Sequence, residues 1–243
     1  MKLWVNADDF GFSKSCSDAI FECFEKGYIT TTTACANGEF IDYAIGLIKN
    51  TPYVDKIGLH INLTEGKPLT ENIKCNNKIC DKNGNFILFP KPYSRLSKKE
   101  KEDIYNEMQA QVDVLKAKGI KINHLDSHHH IHNSFRILPI VIELAINNNI
   151  KHIRLLRNAG DISFIKKIYK KILNKKIRKF AYSKYMGGLD DLYNSKIDRD
   201  DIFELMIHPD FDDNHNLIDR TNEDYFNPTG NLLMINIKDV MKG

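Results

Sequence analysis

Histidine is concentrated in one short stretch near the middle of this 243-residue chain. The stretch HLDSHHHIH, from His124 to His132, holds five of the nine histidines. Imidazole is a common ligand of divalent transition metals, so a metal site is one interpretation of the cluster. A solvated polar loop is the alternative. Unlike such a loop, a metal site requires further ligands from other parts of the chain.

Three other stretches carry side chains that a metal site would need. NADDFG contains the adjacent carboxylates Asp8 and Asp9, GLHINLT contains His60, and ELMIHPD contains His208. Taken singly, an aspartate pair commonly caps a helix and a histidine is commonly a hydrogen-bonded core residue. Together, at the ends of predicted strands, they favour a shared pocket that binds Zn²⁺, Mn²⁺, Fe²⁺ or Co²⁺, and less readily Mg²⁺.

The aspartate pair also indicates what such a pocket would do. Successive side chains of a regular strand point to opposite faces, but both Asp8 and Asp9 can face one pocket where the strand ends and the chain turns at Phe10 and Gly11. One carboxylate would then bind the metal while the other accepts a proton. A catalytic site needs about three protein ligands and an open position for water. The pattern therefore favours a catalytic metal site over a structural one.

The elements that would position these residues alternate along the chain. Strand patterns such as KLWVNA, KIGLHINLT, IKINHLD and DIFELMIH are separated by helical patterns, one opened by Ser13 and a long one ended by Gly119. This alternation indicates a parallel sheet with crossover helices. Polar residues such as His60, Asp126 and Arg154 share one strand face. A polar inner face at the carboxyl ends of the strands predicts the mouth of an α/β barrel.

Length and composition predict a single domain over residues 1–243. The segment 66–97 is rich in Asn, Lys, Pro and Gly, so we expect a lid insertion there, with a small hairpin at Asn83 and Gly84. A formal net charge of +3 does not indicate nucleic-acid binding. The five cysteines lack zinc-knuckle spacing, which favours reduced thiols. Without a signal peptide or an apolar run near ~18 residues, we expect a cytoplasmic protein with no membrane partner.

Four of these stretches resemble the motifs of a known family. NADDFG, GLHINLT, HLDSHHHIH and ELMIHP are similar, in order and spacing, to motifs of the YdjC-like carbohydrate deacetylases, and ITTTTACANG (29–38) is similar to a further segment. The resemblance runs from Met1 to about Pro209. It implies a distorted (β/α) TIM-like barrel that uses one divalent metal to remove acetyl groups from N-acetylated sugars such as chitooligosaccharides. The stretch 216–243 matches little, and RLLRN lacks the proline and acid expected after its arginine.

The resemblance also implies roles for individual residues. Asp9, His60 and His128 would be the metal ligands. Asp8 would be the catalytic base, and His208 would be the general acid that protonates the leaving amine. The implied metal is Mg²⁺ or Zn²⁺, with Mn²⁺ and Co²⁺ as alternatives.

Three further residues are expected to support the site. His124 and Asp126 would orient the metal ligands from outside, and Arg154 would hold either the base or a substrate oxygen. The expected partner is a small oligosaccharide or amino sugar. The sequence leaves open whether the chain forms a homodimer.

Two other functions remain open from the sequence. A metal-dependent phosphoesterase could use the same ligands, although it would favour more bridging carboxylates and a glycine-rich phosphate-binding turn. A non-catalytic metal-binding or sugar-binding module would need no base beside a metal ligand, so the presence of Asp8 argues against it.

Overall fold

A sheet of seven parallel strands forms the centre of the fold. The computed structural model describes residues 2–88, 95–198, 200–221 and 224–225. The strands are β1 (Lys2–Phe10), β2 (Thr31–Ala34), β3 (Ile57–Ile61), β4 (His124–Ser127), β5 (His152–Ile153), β6 (Tyr185–Gly187) and β7 (Ile202–Ile207). Their order in the sheet is β5-β4-β3-β2-β1-β7-β6, and each neighbouring pair is parallel. The predicted α/β fold with parallel strands is confirmed.

The sheet curls into a half-barrel, with β5 and β6 as its edge strands. The chain that follows β5 reaches across to β6, because the backbone N–H groups of Asn158 and Ala159 donate to the carbonyl of Met186 at 3.1 and 3.3 Å. An irregular segment therefore takes the place of a strand in this wall. The barrel is distorted, as the resemblance implied.

Helices cross between consecutive strands and pack against the sheet. They are α1 (Lys14–Glu25), α2 (Ile41–Ile48), α3 (Glu71–Lys74), α4 (Lys98–Ala117), α5 (Leu138–Asn147), α6 (Phe164–Ile177) and α7 (Leu189–Tyr193). Ser13 caps α1 by accepting the N–H of Cys16, and Ser97 forms a reciprocal capping box with Glu100 at the start of α4. These side chains satisfy N–H groups that have no partner within the helix.

Alternation along the strands separates an apolar face from a polar one. In β1, Leu3, Val5 and Ala7 join the main apolar core beneath the helices, whereas Asn6 and Asp8 point into the curled sheet. Residues on the inner face are nonetheless buried, so their polar groups need partners inside the protein. This polar interior positions the candidate site.

A small antiparallel sheet follows the last parallel strand, and the sequence patterns did not predict it. Its strands are β8 (Pro209–Phe211), β9 (Leu217–Asp219) and β10 (Asp224–Tyr225), in the order β10-β9-β8. Strand β8 packs beside α1, where Ser15 Oγ donates to Asp210 Oδ1 at 2.5 Å. Three-residue strands give too short an alternation to be recognised from sequence.

The predicted lid, 66–97, is attached to the barrel along α4. Glu107 of α4 is fully buried and accepts two backbone N–H groups from this segment, at 3.0 and 2.8 Å. Cys80 and Phe86 form an antiparallel bridge, which agrees with the predicted hairpin. Residues 89–94 of the segment lie outside the described residues. Its role as a lid stays a prediction.

Two expectations about the whole chain have structural counterparts. All five cysteines lie in described positions, and each is a free thiol. Among the described helices, none combines the length and the apolar character that crossing a bilayer requires.

Candidate metal centre and catalytic cluster

Asp8 and Asp9 both enter the pocket because β1 is irregular where they lie. The register between β1 and β2 shifts between Ala7 and Phe10, and Asp9 has a φ of 73°. A positive φ is uncommon for a residue with a side chain, and a bulge of this kind breaks the alternation of a strand. Both carboxylates are 1% exposed. The expected turn follows, because the N–H of Phe12 donates to the carbonyl of Asp9 at 3.0 Å and Gly11 has a φ of 85°, but the strand is already irregular before it.

The three side chains implied as metal ligands meet at one carboxylate oxygen. Asp9 Oδ1 lies 3.1 Å from His60 Nε2 and 2.8 Å from His128 Nδ1. His60 belongs to β3, and His128 begins the short 3₁₀ helix that follows β4. The His128 ring also stacks on Phe12, with 5.1 Å between ring centroids. One carboxylate and two imidazoles thus converge from β1, β3 and the carboxyl end of β4, with β2 lying between β1 and β3.

Asp126 orients His60 from behind. Its Oδ1 lies 2.6 Å from His60 Nδ1, and its Oδ2 accepts a hydrogen bond from Thr33 Oγ1 at 3.0 Å. Contact at Nδ1 leaves His60 Nε2 facing Asp9, which is how carboxylates commonly orient a metal-binding imidazole. Burial alone lowers the pKa of His60, but Asp126, Asp9 and Asp8 outweigh burial and raise that pKa to about 10. The surroundings of the ring therefore attract positive charge.

Arg154 holds Asp8 in a two-point ion pair. Arg154 is fully buried, and its Nη1 and Nη2 donate to the two oxygens of Asp8 at 2.6 and 2.7 Å. It also contacts Asp126 at 2.5 Å and Glu204 at 2.8 Å. Burial alone would raise the pKa of Asp8, but Arg154 outweighs burial and lowers it well below its ordinary value. Asp8 is therefore kept ionised and in one orientation.

His208 lies at the rim of the pocket beside Asp8. Its Nε2 is 3.9 Å from Asp8 Oδ2, and its Nδ1 is 2.8 Å from Thr221 Oγ1. Thr221 also lines a cavity of about 350 Å³, whose other walls include Met206 and Asn133. His208 is thus linked, through its contact with Thr221, to the wall of a space that could take a ligand.

Negative charge predominates in this cluster. The buried carboxylates are those of Asp8, Asp9, Asp126 and Glu204. The guanidinium groups that contact them are the buried one of Arg154 and the partly exposed one of Arg220, which donates to Asp9 Oδ2 at 2.6 Å. A divalent cation would offset the remaining negative charge, and a mixed carboxylate and imidazole set suits such an ion. The residues present therefore fit a divalent metal.

The other histidines of the central stretch are not at Asp9: His130 lines the cavity of about 350 Å³, and the remaining three lie elsewhere. His124 packs edge-on against Trp4, with 5.9 Å between ring centroids, and its Nε2 has no hydrogen-bond partner within the described part of the chain. His132 Nδ1 lies 2.5 Å from Ser127 Oγ. His129 is exposed, and its Nδ1 is 3.0 Å from Thr64 Oγ1. The structure brings Asp126 and Arg154 to the predicted ligands and base, but it places His124 against aromatic rings.

Sequence reasoning missed several residues of the cluster. Glu65 Oε2 lies 3.2 Å from His128 Nε2, Glu204 is bound by Arg154, and Arg220 reaches Asp9. The strand face that Glu204 shares with His208 was a usable signal. No local pattern marks Arg220, because it follows β9 of the small antiparallel sheet.

Known proteins share this architecture. A family model described as YdjC-like protein matches residues 2–232. A carbohydrate deacetylase from Oceanobacillus iheyensis is 28% identical over 217 residues, which cover 88% of this chain and 87% of that protein. One from Vibrio cholerae serotype O1 (strain ATCC 39541) is 31% identical over 216 residues, covering 88% and 80% of the respective chains.

A solved structure confirms the likeness of fold. It is a protein from Enterococcus faecalis V583 whose description names cellobiose-phosphate cleavage, and it superposes with a TM-score of 0.67 at 24% identity. The match covers 99% of this chain and 89% of that one. With the family model matched over nearly its whole length, this chain belongs to the YdjC-like protein family.

Proposed function

We propose that this protein is a metal-dependent carbohydrate N-deacetylase. It would hydrolyse the acetamide of an N-acetylated sugar, of the chitooligosaccharide or N-acetylglucosamine type, and release acetate and a free amino sugar. The observation that carries the proposal is the convergence of Asp9, His60 and His128 beside an Asp8 that Arg154 holds ionised. The relatives named carbohydrate deacetylase support the same chemistry.

Asp9, His60 and His128 would hold the metal, and Asp126 would keep His60 directed at it. A divalent ion held there supplies Lewis acidity, both to the acetyl carbonyl and to water. The two imidazole nitrogens favour Zn²⁺, Mn²⁺ or Co²⁺ over Mg²⁺, which prefers oxygen ligands.

Asp8 accepts the proton of the attacking water in this mechanism. Asn6 Nδ2 and Arg154 Nη2 both donate to Asp8 Oδ1, so Oδ2, which faces His208, is the less crowded oxygen. Because its pKa is held low, Asp8 is a weak base toward free water. Its role would therefore be to orient the attacking water and to take its proton as the bond to carbon forms.

His208 donates a proton to the departing amine. An amine is a poor leaving group until it is protonated, so the reaction needs an acid on the sugar side of the bond. Thr221 holds His208 Nδ1, and the 3.9 Å between His208 Nε2 and Asp8 Oδ2 is too long for a direct hydrogen bond. His208 Nε2 is therefore not committed to Asp8, and the sugar would lie in the cavity of about 350 Å³ whose wall includes Thr221.

The test is acetate release from N-acetylglucosamine oligomers, measured on metal-stripped protein and after metal is restored. We expect activity to disappear on stripping and to return with the metal. The matched control is Asp8→Asn loaded with metal, because it measures how much acetate is released when the metal is present and the proposed base is absent.

Two results would overturn the proposal. Phosphate release from phosphorylated sugars, without acetate release from any acetylated one, would identify a phosphoesterase. Tight metal binding without either activity would identify a binding module.

A further inference from the structure

Strand β2 lines the inside of the barrel with a row of small polar side chains. Thr31 Oγ1 donates to Asn6 Oδ1 at 2.7 Å, and Thr33 Oγ1 donates to Asp126 Oδ2 at 3.0 Å. Each step of two residues along a strand keeps the same face and moves toward the carboxyl end. The next residue in this row is Cys35, whose backbone N–H donates to Phe10 O at 2.9 Å.

Cys35 lies beside two of the three implied metal ligands. Its Sγ, a carboxylate oxygen of Asp9 and a ring nitrogen of His60 all lie within 4.8 Å of one another. The thiol is fully buried and cannot reach solvent. The thiol can therefore act only on groups inside the protein, and Asp9 and His60 are among these groups.

A second buried thiol lies close by but faces the other way. Cys16 Sγ is 3.5 Å from the backbone carbonyl of Asp9 and 3.9 Å from that of Asp8. It contacts the main chain of the bulge and not the side-chain atoms that would bind a metal. Cys16 is thus a matched control: it is as buried as Cys35 and nearer to Asp9 along the chain, but its Sγ contacts backbone carbonyls and not the ligand side chains.

We propose that Cys35 Sγ is a further metal ligand, beside Asp9, His60 and His128, and that it shifts the preference of the centre from Mg²⁺ toward Zn²⁺ or Co²⁺. This inference rests on the metal centre of the proposed function. Sulfur is a soft ligand that selects such ions over Mg²⁺. Ligation exchanges the thiol proton for the metal, and the proton leaves to solvent. Four protein ligands leave room for a substrate oxygen only when the ion is five-coordinate, which catalytic zinc can become.

The test is a Co²⁺ titration followed by absorption, because a cobalt–thiolate bond gives a charge-transfer band in the near ultraviolet. All variants carry Cys75→Ser, since Cys75 is exposed and could bind cobalt by itself. We expect the parent and Cys16→Ser to show the band, and Cys35→Ser and Cys35→Ala to bind Co²⁺ without it. We also expect both Cys35 variants to lose Zn²⁺ affinity by about 10-fold or more, while Mg²⁺ affinity changes less.

Two different failures can be told apart. If the parent binds Co²⁺ without the band, or if a folded Cys35 variant keeps the band, Cys35 is not a ligand and the inference is overturned while the metal centre stands. If His60→Ala binds Co²⁺ as tightly as the parent, the metal centre of the proposed function is wrong. Circular dichroism confirms that each variant is folded, and the two Cys35 substitutions check each other.

Discussion

Two layers of side chains inside the curled sheet shift the pKa of a histidine in opposite directions. In the mouth layer, made of Asp9, His60, His128 and Asp126, carboxylates flank the His60 ring and raise its pKa to about 10. In the deep layer, made of Trp4, His124, His152 and Glu204, burial dominates and lowers the pKa of His124 to about 3. The two histidines lie on the same strand face, one layer apart. Carboxylates raise the pKa of the His60 ring against burial, whereas burial, aided by His152 and Arg154, lowers the pKa of His124 despite Glu204.

Both carboxylate oxygens of Glu204 in the deep layer have separate partners, whereas in the mouth layer one oxygen of Asp9 is shared between two imidazole rings. Glu204 accepts hydrogen bonds from His152 at 3.1 Å, Ser183 at 3.1 Å and Arg154 at 2.8 Å. Its oxygens are therefore satisfied within the protein. At the mouth, Asp9 shares one oxygen between His60 and His128, an arrangement that leaves those nitrogens available to a metal. The deep layer thus supports Arg154, and the mouth layer carries the chemistry.

The largest expected effect separates the two layers directly. His60→Ala should lower metal affinity by more than the ~100-fold that loss of an orienting residue can cost, and turnover should fall to that of metal-stripped protein. His124→Ala should leave a cavity that costs stability, yet the folded protein should still bind one metal ion per chain. Elemental analysis and a thermal melt of both variants check this. Equal metal loss in the two variants would show that the mouth layer and the deep layer do not differ in metal binding.

The second-largest expected effect distinguishes the role of Asp8 from that of Asp9. Asp8→Asn should keep the metal but lose about 10²–10⁴-fold in turnover, because an amide cannot accept the proton. Asp9→Asn should lose metal and activity together, because an amide oxygen is a weaker ligand than a carboxylate. Acetate release at saturating metal, with metal content measured alongside, checks both. Near-normal turnover of Asp8→Asn would remove the base from the proposal.

A smaller effect is expected where the layers join. Asp126→Asn keeps the shape of the side chain but weakens the contact that orients His60, so metal affinity should fall by about 10–100-fold. Saturating metal should recover much of the activity, unlike in Asp8→Asn. A metal titration of activity checks this, and an unchanged midpoint would show that Asp126 does not orient the ligand.

The smallest effect concerns the rim. His129→Ala should leave metal content unchanged, because His129 is exposed and contacts Thr64 instead of Asp9. His128→Ala, one residue earlier, should lose metal. Elemental analysis of the pair checks the assignment. The reverse result would mean that the next histidine along the chain is the ligand.

Much of the architecture followed from local sequence patterns. Alternation placed His60, Asp126 and Arg154 on one face of their strands. In the structure His60 contacts Asp9, Arg154 contacts Asp8, and Asp126 contacts both His60 and Arg154. Ser13 marked the start of one helix and Gly119 the end of another; Ser13 caps α1, and Gly119, with a φ of 85°, follows the last turn of α4. These features depend on backbone geometry over a few residues, so a sequence determines them before the chain is folded.

Other features of the site were decided only by tertiary structure. The sequence could not show that Asp9 adopts a φ of 73°, since that backbone strain persists only when the surrounding contacts hold it. Nor could it show that Arg220, 211 residues away, reaches Asp9, or that Cys35 lies beside Asp9 and His60. Alternation along a strand sets the face to which a side chain points, and the sequence by itself determined this alternation. Which distant groups it meets depends on how the sheet curls and how its strands are ordered, and only the folded chain decides that.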